Sequence, residues 1–177
     1  MTVNEAHLIY FSPTHTSKQV AEAIVHGTGI KNILPVNVTL QTTGEAVIPA
    51  SALAIIVVPV YGGRVAPLAM ERLQNIRGLD TPTVLVVVYG NRAYEKALME
   101  LDAFALPHGL KVIAGATFIG EHSYSTDEHP IAAGRGCVKT LAQPLLYFTV
   151  LLYFLLAMLL FPHAFGNKLL YSNYIGL

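Results

Sequence analysis

Ser12, Thr14, Thr16 and Ser17 place four hydroxyls within six residues. They stand between an apolar run, His7-Leu-Ile-Tyr-Phe11, and a stretch of helical pattern that begins at Ser17. A helix start offers backbone N–H groups without intrahelical acceptors and the positive end of the macrodipole. Hydroxyls gathered there add donors, and the natural ligand of such a cradle is a phosphate. Helix capping alone would need one hydroxyl, not four. The loop has neither the Gly-x4-Gly-Lys-Ser/Thr pattern of a nucleoside triphosphatase nor a Gly-x-Gly-x-x-Gly dinucleotide fingerprint.

Three more loops carry polar, Gly or Tyr residues where an apolar run ends. They are Pro59-Val-Tyr-Gly-Gly-Arg64, Gly90-Asn-Arg-Ala-Tyr94 and residues 120–129. The runs that feed them read as strands. Residues 52–58 and 83–89 are apolar almost throughout, as strands buried on both faces of a parallel sheet are. Residues 6–11 and 111–119 give two more strands. Residues 32–40 give an edge strand, because Pro35 cannot donate to a ladder. Residues 41–50 read as a polar loop with room for a short helix. The helical stretches are 17–27, with Val20, Ala23, Ile24 and Gly27 on one face, then 67–76, then 94–106 with Leu98, Leu101 and Ala105 together. Strands alternating with helices predict an α/β fold whose parallel sheet is covered on both faces. Ligands of such sheets sit beyond the carboxyl ends of the strands, where these four loops converge.

Composition narrows the function. Eleven basic and eleven acidic residues balance, so no basic patch suggests nucleic acid as a partner. The single cysteine, Cys137, excludes an intrachain disulfide and a cluster held by four cysteines of this chain, and points to a reducing compartment. The N-terminus has no charged-then-apolar leader pattern. His122 and His129 flank Asp127 and Glu128, but not at a familiar metal-ligand spacing. They read better as histidines lining a ligand loop, so no metal is expected.

With these residues in view, the chain resembles the flavodoxin family over residues 4 to about 135. Ser12-x-Thr14-x-Thr16-Ser17 is similar to the family's loop for the phosphate of flavin mononucleotide (FMN), with His15 where the family usually has Gly. Phe-Ser-Pro-Thr, Pro-Val-Tyr-Gly-Gly-Arg and Gly-Glu-His-Ser-Tyr-Ser together look most like the flavodoxin half of bacterial flavodoxin–ferredoxin fusion proteins. The resemblance implies a three-layer sandwich around five parallel strands in the order 2-1-3-4-5, FMN as cofactor and electron transfer as function. By resemblance Ser12, Thr14, His15, Thr16 and Ser17 hold the phosphate, His15 mainly by its N–H. Pro59, Tyr61, Gly62 and Gly63 lie beside the flavin ring, with Tyr61 able to stack on it and a glycine peptide free to turn when the ring gains a proton. Gly90, Asn91 and Arg92 approach the pyrimidine end, and Tyr94 is a second stacking candidate. The implied partner is a redox protein such as a ferredoxin or a reductase. No acid precedes Glu95 in either ring-side loop, whereas Arg64 and Arg92 are present. That moves weight from a low-potential carrier toward a membrane-attached FMN reductase acting with NAD(P)H or a quinone. A flavodoxin-shaped binding module without redox activity is the third alternative.

Residues 137–177 depart from the family. Between Lys139 and Lys168 there is no charged residue, and Leu145–Phe161 has Thr149 as its only clearly polar member. The family's last helix would keep a charged face. Three readings stand: a short transmembrane anchor, an unusually apolar helix covering the sheet, and a disrupted reading frame. Arg135 and Lys139 before the stretch, against Lys168 after it, favour a cytoplasmic flavodoxin-like domain (residues 4–136), and the anchor reading adds membrane contact through residues 145–161.

Overall fold

The computed structural model describes residues 3–40, 44–90, 93–120 and 171–172 of the chain. Its elements are β1 (Glu5–Tyr10), α1 (Thr16–Gly27), β2 (Asn32–Asn37), β3 (Ala46–Ile48), β4 (Leu53–Tyr61) and β5 (Arg64–Val65). They continue with α2 (Pro67–Leu73), β6 (Ile76–Gly78), β7 (Thr81–Tyr89), α3 (Ala97–Ala105), a 3-10 turn at Leu106–His108, β8 (Leu110–Ile119) and β9 (Tyr171–Ser172). The main sheet runs β2-β1-β4-β7-β8-β9, with each of these neighbours parallel, and β5 pairs antiparallel with the end of β4. Its first five members are the second, first, third, fourth and fifth long strands in chain order, the expected 2-1-3-4-5. Pro35 sits opposite Leu8 in β2, the edge strand, where its missing N–H costs no ladder bond.

Alternation along the central strands makes two cores from one sheet. Ile56 and Val58 of β4 and Leu85 and Val87 of β7 face one way, into a cluster with Ala69 and Leu73 of α2 and Leu98, Leu101 and Ala105 of α3. Ile55, Val57, Val86 and Val88 face the other way, against Val20, Ala21, Ile24 and Val25 of α1. Both faces are covered, so the strands read as unbroken apolar runs. The buried face of α1 is Ser17, Val20, Ala21, Ile24 and Val25, turned slightly from the 20-23-24-27 stripe read from spacing.

Two expectations change. The 41–50 loop carries strand β3 instead of a short helix, and the helix starting at Pro67 ends at Leu73, not Ile76. The cause is the same in both places. Ala46–Ile48 pairs in parallel with Ile76–Gly78, and both Ile48 and Ile76 are fully buried by that pairing. Burying two β-branched side chains outweighs three more residues of helix. Among the described residues no helix is long and apolar enough to cross a membrane. The stretch 145–161 lies outside them.

The end of the sheet opposite the strand tips holds one titratable group with a clear consequence. His108 Nδ1–H donates to the Phe104 carbonyl at 2.7 Å, and the two rings lie 3.9 Å apart. That bond fixes the tautomer and leaves Nε2 bare, buried and without a partner among the described residues. Burial pushes the imidazole below its ordinary value; the Phe104 carbonyl opposes this and Arg77 adds to it. A folded pKa below the unfolded one means the unfolded chain binds the proton first. The stabilisation is complete above the unfolded value of about 6.5 and lost as pH falls through it. The urea midpoint is therefore expected to drop between about pH 7.5 and about pH 5.5, and His108→Phe to flatten that drop. An unchanged slope in the variant would assign it to other groups.

Candidate functional site

The chain leaves β1 at Tyr10 and turns sharply before α1. Phe11 N–H still donates to Val57 O at 3.1 Å, so the turn begins on the ladder. Ser12 is buried. Its N–H donates to Thr39 Oγ1 at 2.9 Å and its Oγ accepts the Lys18 N–H at 2.9 Å. Ser12 thus supplies from outside the helix the capping acceptor that His15, the N-cap residue, does not. His15 N–H points back to Ser12 O at 3.4 Å, and His15 O accepts from Gln19 N–H at 3.0 Å. No acceptor among the described residues takes the N–H of Thr16 or Ser17. Thr14, Thr16 and Ser17 all line one cavity.

The cavity has a volume of about 310 Å³, within the usual range for small-molecule sites. Its other walls are the strand ends. Pro59, Val60 and Tyr61 come from β4, Val88, Tyr89 and Gly90 from the tip of β7, and Gly120 follows β8. Gly62 and Gly63 join β4 to β5 as a two-residue hairpin, Tyr61 opposite Arg64, with φ of 60° and 79°. Positive φ at both central residues suits the sheet's twist, and glycine takes it without strain. The hairpin leaves Tyr61 52% exposed at the rim. Gly63 O accepts the Lys96 N–H at 3.2 Å, and the Glu95 carboxylate packs where a Gly63 side chain would be. Glu95 itself has φ 41°. Gly120 is equally constrained, since a Cβ there would sit 2.7 Å from Val88 Cγ1 and 2.8 Å from Thr16 Cγ2.

Of the residues singled out by sequence, Thr14, Thr16, Ser17, Pro59, Tyr61, Gly62, Gly63 and Gly90 line this cavity. Ser12 and His15 shape the loop behind it. Tyr94 packs against the core and 5.4 Å from the Tyr89 ring, and it is Tyr89 that lines the cavity. Asn91, Arg92 and the 121–130 loop with its histidines lie outside the described residues. Arg64 does not line the cavity. Its Nη2 donates to Glu100 Oε1 at 2.7 Å, and that hydrogen bond holds the Glu100 carboxyl below the usual carboxylate range. Sequence reasoning missed Tyr89 and Glu95, and placed Gly120 only as the start of a converging loop. Tyr89 was findable as the last strand residue before the Gly90 loop, whereas Glu95 reaches the cavity only through the fold. No cluster of metal-ligating side chains occurs among the described residues.

His15 sits at φ 64°, ψ −13°, a left-handed conformation where a side chain costs about 1 kcal/mol and glycine nothing. Its side chain is exposed and makes no capping bond. His15→Gly is expected to raise stability by about 0.5–1 kcal/mol, read as a higher urea midpoint. A lower midpoint would mean that the imidazole contributes more than the strain costs.

No known family profile matches the chain, and no curated protein does. Solved structures do. The flavodiiron core of a Synechocystis protein aligns with TM-score 0.53 and 15% identity over 85% of this chain, which spans only 36% of that one. A WrbA-like flavodoxin from Agrobacterium tumefaciens gives 0.52 and 13% over 86% of this chain and 98% of its own. A Streptococcus pneumonia flavodoxin gives 0.50 and 15% over 82% and 97%. Strand order, helix placement and these likenesses agree: the chain has a flavodoxin-like fold.

Proposed function

We propose that this chain binds FMN at the strand-end cavity and carries electrons between redox proteins, as flavodoxins do. The observation that carries the reading is the juxtaposition at one cavity of Thr16 and Ser17, whose N–H groups have no acceptor among the described residues, with Tyr61 and Tyr89. An anionic group fits the first and a flat aromatic one the second. FMN supplies the electron chemistry when bound, and the chain's residues place and tune it. Thr14, Thr16 and Ser17 donate to the phosphate, with Ser12 and His15 holding the loop's shape. Pro59, Tyr61, Gly62 and Gly63 flank the ring, with Gly90, Asn91 and Arg92 toward its pyrimidine end. Tyr94 acts by backing Tyr89.

A carrier is favoured over a reductase by the local charges. Arg64 is held by Glu100, and the acid Glu95 stands on the described cavity wall, while Arg92, toward the pyrimidine end, counts the other way. Negative charge beside a flavin disfavours an anionic reduced ring. The partner of this reading is a ferredoxin or a flavin reductase. Membrane contact through 145–161 is no part of it.

Purified full-length chain titrated with FMN is expected to quench flavin fluorescence at one equivalent. The complex should be reducible by dithionite and should not oxidise NAD(P)H by itself. Folded protein that leaves FMN fluorescence unchanged would overturn the proposal, and steady NAD(P)H oxidation would favour the reductase.

A further inference from the structure

We propose that Arg72, on α2 and outside the cavity, is a positioning residue that sets the aim of the phosphate-binding N–H groups. The inference rests on the FMN reading above and adds to it Arg72 and Thr39, which that reading does not use.

Two residues beyond β2, the chain passes the turn that follows β1. Arg72 Nη1 donates there to Val38 O at 2.9 Å and to Thr39 O. Its guanidinium also lies over the Phe11 ring, 5.7 Å from the centroid. Phe11 is the residue before Ser12, and Thr39 is Ser12's partner. One side chain thus grips both neighbours of the loop's anchor. Thr39 is held from its other side by its own N–H, which donates to Asn37 Oδ1 at 2.9 Å. With Thr39 fixed, its Oγ1 accepts the Ser12 N–H at 2.9 Å, and Ser12 Oγ accepts the Lys18 N–H at 2.9 Å. The path runs Arg72, Thr39, Ser12, Lys18, and it ends one residue beyond Thr16 and Ser17, whose N–H groups no described residue accepts.

Each link has a physical reason. Ser12 is buried, so its N–H needs an acceptor, and Thr39 provides it. By taking the Lys18 N–H, Ser12 fixes the helix's first turn and leaves Thr16 and Ser17 to an incoming anion. Arg suits position 72 because its planar guanidinium can lie over the Phe11 ring while Nη1 serves both carbonyls. The bland account makes Arg72 a cap for the end of β2, important for stability alone. The two accounts differ in what they predict for the phosphate.

The test compares FMN with riboflavin, which lacks the phosphate, in the full-length protein. The quantity is the ratio of the two dissociation constants. Arg72→Ala is expected to cut the preference for FMN roughly tenfold with riboflavin affinity nearly kept, as expected for a weakened charge-assisted contact. Arg72→Lys should restore part of it. Thr39→Val removes the Ser12 acceptor without touching α2 and should match Arg72→Ala, while Thr39→Ser keeps the acceptor and should match wild type. Should Arg72→Ala unfold, the two Thr39 variants decide. An unchanged ratio in Thr39→Val, or equal losses for both flavins, overturns the proposal. Amide shifts of Thr16 and Ser17 on adding inorganic phosphate separate it from the FMN reading. Wild type that shifts with phosphate but binds no flavin sinks FMN alone, and the same variants are then scored by phosphate. No shift with phosphate and no flavin binding sinks both.

Discussion

Thr16→Asp should abolish the preference for FMN over riboflavin, lowering FMN affinity by about 100-fold or more while leaving the helix intact. A hydrogen bond to a charged group is worth about 1.5–3 kcal/mol, and losing the Thr16 hydroxyl forfeits one. The new carboxylate adds repulsion and competes for the N–H groups at Thr16 and Ser17 that no described residue takes. At the first position of α1 that same carboxylate meets the favourable end of the macrodipole, worth about 0.3–1 kcal/mol. Ligand binding and fold stability therefore move in opposite directions. Riboflavin, without a phosphate to repel, should lose far less. Titration of both flavins, with a urea curve on the same sample, checks all three effects. Equal losses for both flavins would place the phosphate elsewhere.

The contrast follows from how the loop is built. Ser12 was expected to hold the phosphate by its side chain; its Oγ accepts the Lys18 N–H, which leaves its proton to donate, and Ser12 is not among the residues that line the cavity. That assignment could not be made from spacing, because a run of four hydroxyls does not say which one faces inward. Burial separates them: Ser12 is buried beneath the loop, and Thr14 is exposed at its lip. Likewise Tyr89 and Tyr94 are both aromatic neighbours of the Gly90 loop. Only the end of β7 decides that Tyr89 lines the cavity while Tyr94 packs behind it.

The fold was legible where burial on both faces writes itself into composition. Leu53–Val58 and Thr83–Val88 could hardly be anything but central strands of a parallel sheet, and their order followed from the resemblance. Short elements were not legible. β3 and β6 have three residues each, too few for a period to emerge, and they exist because each buries the other's isoleucine. β5 has two residues, yet Tyr-Gly-Gly-Arg is a hairpin signal that two positive φ values explain. The acid at the cavity was hidden for a different reason. Glu95 lies far from Gly63 in sequence, and only their close packing places it there.

Gly109→Ala should be among the most destabilising single-methyl changes in the chain, costing about 2–5 kcal/mol against a total of about 5–15. Gly109 ends the 3-10 turn at φ 70°, where any side chain is strained by about 1–2 kcal/mol. A Cβ there would also fall within contact distance of the Gly78 carbonyl oxygen, and one on Gly78 would meet the Gly109 carbonyl oxygen. Both partners are backbone and cannot rotate away. The contact knits β6 to the start of β8 and β7. Thr81 N–H donates to Gly109 O at 3.2 Å, and Thr81 Oγ1 donates to Ile48 O at 2.6 Å. Gly78→Ala meets the same crowding without a left-handed φ, so it should cost less. The urea midpoint is expected to fall in the order wild type, Gly78→Ala, Gly109→Ala, the last by about 1–3 M. The strand tips that carry the cavity lie at the other end of the sheet, so FMN affinity measured below the unfolding transition should change little. A midpoint for Gly109→Ala close to wild type would mean that β6 and the turn separate freely, and that the two small strands only decorate the core.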